Sequence, residues 1–283
     1  MIDIHKVDRL VFTPQVNIMA ASRLHYMDYG VEGSLSNWCN ENHLEDTVKN
    51  PDTALGRLFE AGLNGDVTDG DLIPELAGRF CYRAWLKGRV NEQYIGNILD
   101  QHHGSVLEHS HLSFAIGGVS RSLSHELVRH RHFNISQESQ RYVKPTNLRC
   151  VVPPLFIDMG EEGLPYIDNL YHHFVKSTAL ALSMMRSLDK GASTLERKRV
   201  NESCRSVLPN CTETRLFWSG NMRSLRHFFA LRGGEAADLE IRRLAVAVFN
   251  AAVEFAQNCF QDIEVRKVSD STIPVLDVKG GSV

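Results

Sequence analysis

The chain has 283 residues, 43% hydrophobic and 23% charged, which excludes a disordered or collagen-like polymer. The formal net charge of −3 excludes the basic excess typical of nucleic-acid binders, so any anionic ligand must be met by a local cluster of cations. No run of about 18 apolar residues is present to form a membrane-spanning helix. The opening Met1-Ile-Asp-Ile-His-Lys lacks the apolar stretch of a secretion signal. Cys39, Cys81, Cys150, Cys204, Cys211 and Cys259 are scattered with no Cys-x-x-Cys, as expected for reduced thiols in a cytoplasmic protein.

Residues 10–20 are apolar enough for an early strand. Residues 28–75, rich in Gly, Asn and Asp, read as a peripheral, loop-rich region with one helix near 52–61. Ile95, Ile98 and Leu99 share a face and predict a helix over 92–102. Leu112, Phe114 and Ile116 then alternate with small residues, predicting a strand that ends at Gly117-Gly118. Ser120 or Ser122 is the expected N-cap of a helix running toward Arg129. Residues 133–143 read as extended, and 150–153 as a short strand before Pro153-Pro154. A long helix is expected after Pro165, with Ile167, Leu170, Phe174, Leu182 and Leu188 in its apolar stripe and Gly191 closing it. Two more helices are expected at 221–232 and 235–260, split by Gly233-Gly234. No composition shift marks a boundary, so residues 1–283 read as one α+β domain, strands early and helices late.

Histidine is concentrated: seven of the 13 lie between His102 and His132. His109-x-His111 on a strand would point two imidazoles to one face, as in some metal sites. His125-Glu126-Leu127-Val128-Arg129 resembles the zinc motif His-Glu-x-x-His, but Arg129 puts a cation where a ligand should stand. No metal is therefore expected, and His109, His111 and His125 read equally well as ordinary strand and helix residues.

An anion is the better fit. Arg129-His130-Arg131 offers two permanent cations and an imidazole, and guanidinium forks match phosphate oxygens. On a helix Arg129 and Arg131 would sit about 200° apart, so they serve two ligands or the helix ends between them. Gln137, Ser139 and Arg141 alternate, and on an extended chain they share one face that offers an amide, a hydroxyl and a guanidinium to a nucleotide. Each alone reads as a solvated polar residue; the order and spacing together favour the nucleotide.

The string Arg129-His-Arg-His-Phe-Asn-Ile-Ser-Gln-Glu-Ser-Gln-Arg-Tyr-Val143 resembles the signature of the flavin-dependent thymidylate synthases. Asn221-Met-Arg223-Ser-Leu-Arg-His227 through Arg232, and Ala237-Asp-Leu-Glu240-Ile-Arg242, are similar to that family's C-terminal region. His103-Gly-Ser105-Val-Leu-Glu108-His109 and Ala77-Gly-Arg79-Phe-Cys81-Tyr resemble earlier segments, so the likeness spans about 77–265. The resemblance implies a single α+β domain with a central, mostly antiparallel sheet and long helices. It implies methylation of dUMP to dTMP, with methylenetetrahydrofolate giving the carbon and FAD, reduced by NADPH, giving the hydride. It implies a homotetramer with shared active sites. Ser105, Arg129, His130, Arg131, Asn221, Arg223 and His227 match FAD positions, with Gln137 reaching both FAD and substrate. Glu126, Arg129, Ser139, Arg141, Arg205 and Arg232 match dUMP positions, and Arg232 matches the arginine that favours ionisation at uracil N3. This chain has Glu126 where many relatives have Gln, Gln137 for Glu, and His227 for Asn.

Three rivals stand beside this reading. The flavin-free thymidylate synthases use a Pro-Cys-His nucleophile, and no cysteine here precedes a histidine, leaving Cys211 as a packing residue. A non-catalytic nucleotide- or nucleic-acid-binding protein would use the same arginines, and a metal-dependent hydrolase would rest on the histidines. By itself, Arg232 also reads as a helix-terminal cation that complements the dipole before Gly233-Gly234.

Overall fold

The computed structural model describes residues 8–25, 34–143, 147–189 and 193–280. The early strand is two pieces, β1 (Leu10–Val11) and β2 (Gln15–Ala21), divided at Pro14, which cannot donate to a ladder. Four helices follow: α1 (Leu35–Glu41), α2 (Glu45–Lys49), α3 (Ala54–Asn64) and α4 (Asp69–Tyr82). The loop-rich reading of 28–75 is corrected over residues 34–75; residues 28–33 lie outside the described residues. The reason is that the turn-forming residues sit at helix ends. Ser34 Oγ accepts from the Asn37 N–H, Thr53 Oγ1 accepts from the Gly56 N–H, and Gly65 closes α3 at φ 76°. Cys39, Leu55, Leu58, Phe59, Leu72 and Trp85 give these helices a small core of their own.

Helix α5 (Asn91–Asp100) matches its expectation, and a 3₁₀ turn over Gly104–His109 leads into β3 (His111–Ser120). The strand does not stop at Gly117-Gly118. It passes through them with a bulge between Ile116 and Val119, and Gly118 sits at φ 68°, where a Cβ would lie 2.6 Å from the Thr13 carbonyl oxygen. These glycines bend the strand rather than end it. Ser120 caps α6 (Arg121–Leu127) by accepting from the Leu123 N–H at 3.0 Å. The helix stops two residues short of Arg129. Strand β4 (Asn134–Gln137) is shorter than the extended segment expected over 133–143, because Tyr142 and Val143 donate back to the Ser139 carbonyl and turn the chain.

Strand β5 (Cys150–Val151), α7 (Pro154–Asp158) and α8 (Leu164–Leu188) follow. Ile167 and Phe174 are buried on α8, whereas Leu188 is exposed. Gly191, the expected stop, lies outside the described residues. Helix α9 (Thr194–Cys204) and strand β6 (Glu213–Asn221) have no counterpart in the sequence reading. Then come α10 (Met222–Arg232), α11 (Leu239–Phe255), shorter than 235–260, and the antiparallel pair β7 (Ile263–Arg266) and β8 (Val275–Val278). Strands therefore occur late as well as early.

The main sheet has the order β2-β3-β6-β4, every neighbour antiparallel, as the resemblance implied. Its interior strand β6 pairs Asn221 with His111 of β3, and Ser219 and Leu216 with Asn134 and Gln137 of β4. Phe114, Phe133, Trp218, Phe228 and Phe229 lie in the main core beneath α10 and α11. Phe133 stacks 4.2 Å from Trp218, close enough that a Cβ on Gly220 would lie 2.3 Å from the Phe133 ring. That packing fixes the chain immediately after the Arg-His-Arg segment.

Candidate active site

The residues singled out in the sequence gather in two places. The first is α10 and what packs on it. Asn221 ends β6, and its Oδ1 accepts from the Ser224 N–H at 2.8 Å, starting the helix. Arg223 follows, with Nη1 2.5 Å from Glu108 Oε1 on the 3₁₀ turn that also carries the exposed Ser105. One helical turn on, His227 meets the His132 ring edge-on, centroids 5.6 Å apart. Burial and then the neighbouring His132 lower the proton affinity of His227.

Arg232 closes the helix. Its Nε donates to His130 Nε2 at 2.9 Å and its Nη1 to Glu126 Oε2 at 2.8 Å. His130 is 7% exposed and takes Phe228 edge-on at 5.3 Å. Burial, reinforced by the charge of Arg232 and by His227 and His132, pulls the imidazole down to about 4. The ring is thus neutral near pH 7. Accepting from a guanidinium at Nε2 puts its single proton on Nδ1. Burial raises the Glu126 carboxyl, and Arg232 opposes that shift. Arg232 reaches solvent over 26% of its side chain, and its Nη2 makes no hydrogen bond to the described residues. A planar cation is held on two sides and open on the third.

Arg129 and Arg131 stand just beyond α6. The Arg129 and His130 N–H groups donate to the Glu126 and Leu127 carbonyls, so a turn rather than a helical face sets their directions. Both are exposed, and neither side chain hydrogen-bonds or ion-pairs with the described residues. Such uncompensated cations suit phosphate oxygens.

The second place lies beyond the end of β4. Gln137 Nε2 donates to Thr214 Oγ1 at 3.1 Å. Ser139 Oγ accepts from the Arg141 N–H at 3.2 Å, within the turn. The shared extended face of Gln137, Ser139 and Arg141 is therefore corrected: the strand ends at Gln137. Arg141 is 2.5 Å from Glu202, and its carbonyl accepts from Asn201 Nδ2 at 3.0 Å. It borders a cavity of about 620 Å³ with Arg186, Arg197 and Lys198. Arg205 opens a 3₁₀ turn after α9 and lies close enough that its charge helps lower Arg121, whose burial is the larger cause. The sequence reading missed Glu202, Asn201, Thr214 and Arg121. Only the run Glu196-Arg-Lys-Arg199 gave any local signal there, because the partners are far apart in the chain.

Register separates the two places. Gln137 pairs with Leu216, five residues along β6 from Asn221, or about 17 Å at the usual rise of a strand.

The family model Thy1, described as thymidylate synthase complementing protein, matches residues 65–256. The flavin-dependent thymidylate synthase of Mycobacterium sp. (strain KMS) is 42% identical over 221 residues, covering 73% of this chain and 85% of the relative. That of Mycolicibacterium gilvum (strain PYR-GCK) is 42% identical over 217 residues, with the same coverage. That of Mycobacterium bovis (strain BCG / Pasteur 1173P2) is 42% identical over 214 residues, again with 73% and 85% covered. The matched span contains Ser105, the Arg-His-Arg segment, Arg141, Arg205 and the whole of α10, and the chain belongs to the Thy1 family of thymidylate synthase complementing proteins.

Proposed function

We propose that the chain is a flavin-dependent thymidylate synthase that converts dUMP to dTMP in de novo synthesis. The observation that carries this is Arg232, clamped by His130 and Glu126 with one amino group open, in a chain 42% identical to enzymes of that name. Uracil C5 is a weak nucleophile. Negative charge gathered on N3 and O4 strengthens it, and a guanidinium already fixed in place stabilises that charge without reorganising. Arg232 is the catalytic residue in this reading.

FAD fits the donors at α10: two exposed arginines without partners among the described residues, Arg129 and Arg131, suit its pyrophosphate, and Ser105, Asn221, Arg223 and His227 line the adjoining surface. When bound, the flavin supplies the hydride, drawn from NADPH, and methylenetetrahydrofolate supplies the carbon. The chain's own part is to bind, orient and polarise. Arg129, Gln137, Ser139, Arg141 and Arg205 hold dUMP, and the charge of Arg205, felt at Arg121, adds to a local positive field that suits its phosphate. Glu126 serves the substrate through Arg232, since its Oε2 is already taken.

Gln137 is expected at the same flavin as Asn221, yet it sits about 17 Å away along β6. A homotetramer with active sites shared between subunits joins what one subunit keeps apart. No helix among the described residues is long and apolar enough to cross a membrane. Purified protein is expected to be yellow, with flavin absorbance bands, and to release tritium from [5-³H]dUMP in the presence of methylenetetrahydrofolate and NADPH. A colourless protein that cannot be reconstituted with FAD and carries stoichiometric zinc overturns the reading in favour of a metal-dependent hydrolase.

A further inference from the structure

We propose that His130 is a positioning residue for Arg232, acting through its unprotonated Nε2 rather than by touching the flavin. The inference rests on the thymidylate synthase reading for its consequence, and on geometry for its content. The motif resemblance puts His130 between two flavin-binding arginines. The structure buries its ring where those two side chains are exposed: it is 7% exposed, edge-on to Phe228, and bonded at 2.9 Å to Arg232, 102 residues away.

A guanidinium carries five N–H donors in one plane. Fixing that plane takes two contacts in different directions. Glu126 supplies one at Nη1 and His130 the other at Nε. Glu126 alone would let the cation pivot about a single ion pair, since its carboxylate is 32% exposed and Arg232 is 26% exposed. The buried imidazole is the rigid half of the clamp. Its backbone is held in turn, the His130 N–H donating to the Leu127 carbonyl at 3.1 Å and its carbonyl accepting from Phe133 at 3.3 Å. Only a neutral ring can do this: an imidazolium would present a donor to a donor. Burial and the cation itself both keep the ring neutral.

The clamp also aims Arg232. With Nε and one Nη1 hydrogen committed, the open Nη2 is what faces a ligand. Misaiming a group by about 1 Å costs on the order of 100-fold in rate, without any loss of ligand contacts elsewhere.

The test combines a double-mutant cycle with a direct look at the imidazole. In the holoenzyme, His130→Leu is expected to lower kcat for dTMP by about 100-fold while flavin absorbance per subunit stays unchanged. His130→Gln, whose amide oxygen can accept from Nε, is expected to recover to within about tenfold of the original enzyme. On an Arg232→Ala background, His130→Leu should cost nothing further, because a residue acting through Arg232 has nothing left to position. Flavin occupancy falling in step with turnover, or losses that multiply in the double variant, would overturn the proposal. Imidazole ¹⁵N NMR of histidine-labelled protein gives a readout independent of activity. Nε2 of His130 is expected to be unprotonated at pH 7 and to shift on Arg232→Ala; a protonated Nε2, or no shift, sinks the idea. Should the unmutated protein hold no flavin and make no dTMP, the functional reading falls, and the NMR arm still decides whether His130 holds Arg232.

Discussion

At the scale of single residues, the proposed site combines cations that have no partner among the described residues, Arg129 and Arg131, with one that is held in place, Arg232. Arg232→Ala should leave flavin absorbance intact and lower dTMP formation by about 100- to 1000-fold, the usual loss when one preorganised donor is removed, as measured by tritium release. Arg131→Ala should weaken FAD retention more than dUMP affinity, which spectral titration with each ligand would show; equal losses would count against assigning Arg131 to the flavin. His130 gives a pH signature. Its folded-state proton affinity is lowered to about 4 from the ordinary 6.5, so below pH 6.5 the unfolded chain takes up a proton that the native ring refuses. Stability should therefore fall as pH drops from about 6.5 toward 4, by about 3 kcal/mol at most from this group. Urea unfolding across that window should show the slope in the native sequence and a flatter profile in His130→Gln.

At the scale of elements, the placing of the Arg-His-Arg segment is decided by where α6 begins and ends. Ser120 caps it and is itself held by Glu240 of α11, whose carboxylate accepts from the Ser120 N–H at 2.8 Å and hydroxyl at 2.7 Å. Ser120→Ala should cost about 1 kcal/mol for the cap and somewhat more because the half-buried Glu240 carboxylate keeps only the residue-120 N–H, read as a lower urea midpoint with unchanged m-value. The alternation of Leu112, Phe114 and Ile116 made β3 legible, and Ser120 made the start of α6 legible, because both signals are local. Strand β6 was not legible. Thr212-Glu-Thr-Arg-Leu-Phe-Trp offers no clean polar–apolar alternation, because Glu213 and Thr214 are buried as well as Leu216 and Trp218. Glu213 earns its burial by meeting Arg149 and the Gly118 N–H, partners that no window along the sequence contains.

At the scale of the molecule, a second small core over α1–α4 is tied to the main one by a buried polar seam. Asp71 accepts from the Asn258 and Cys259 N–H groups at 3.0 and 2.8 Å, and Asn91 donates to Glu75 Oε2 at 2.7 Å and accepts from Asn258 at 2.7 Å. Glu75 in turn pairs with the buried Arg79 at 2.6 Å. Glu75→Ala leaves that guanidinium buried and unpaired, so about 3–5 kcal/mol of stability should be lost, with hydrogen exchange rising first in α4 and α5. Arg79 belongs to the segment Ala77-Gly-Arg79-Phe-Cys81-Tyr that carries part of the family likeness. Its arginine proves to be part of the frame, with its guanidinium 4.5 Å over the Tyr94 ring. What the sequence determined by itself was the chemistry: a specific arginine- and histidine-rich signature, matched by side chains whose types suit phosphate and uracil whatever their arrangement. Tertiary structure alone decided the pairing of Arg232 with His130 and Glu126, the binding of Arg141 by Glu202, and the separation of Gln137 from Asn221. Those follow from strand register and from contacts between residues 60 or more positions apart, and a linear pattern carries neither.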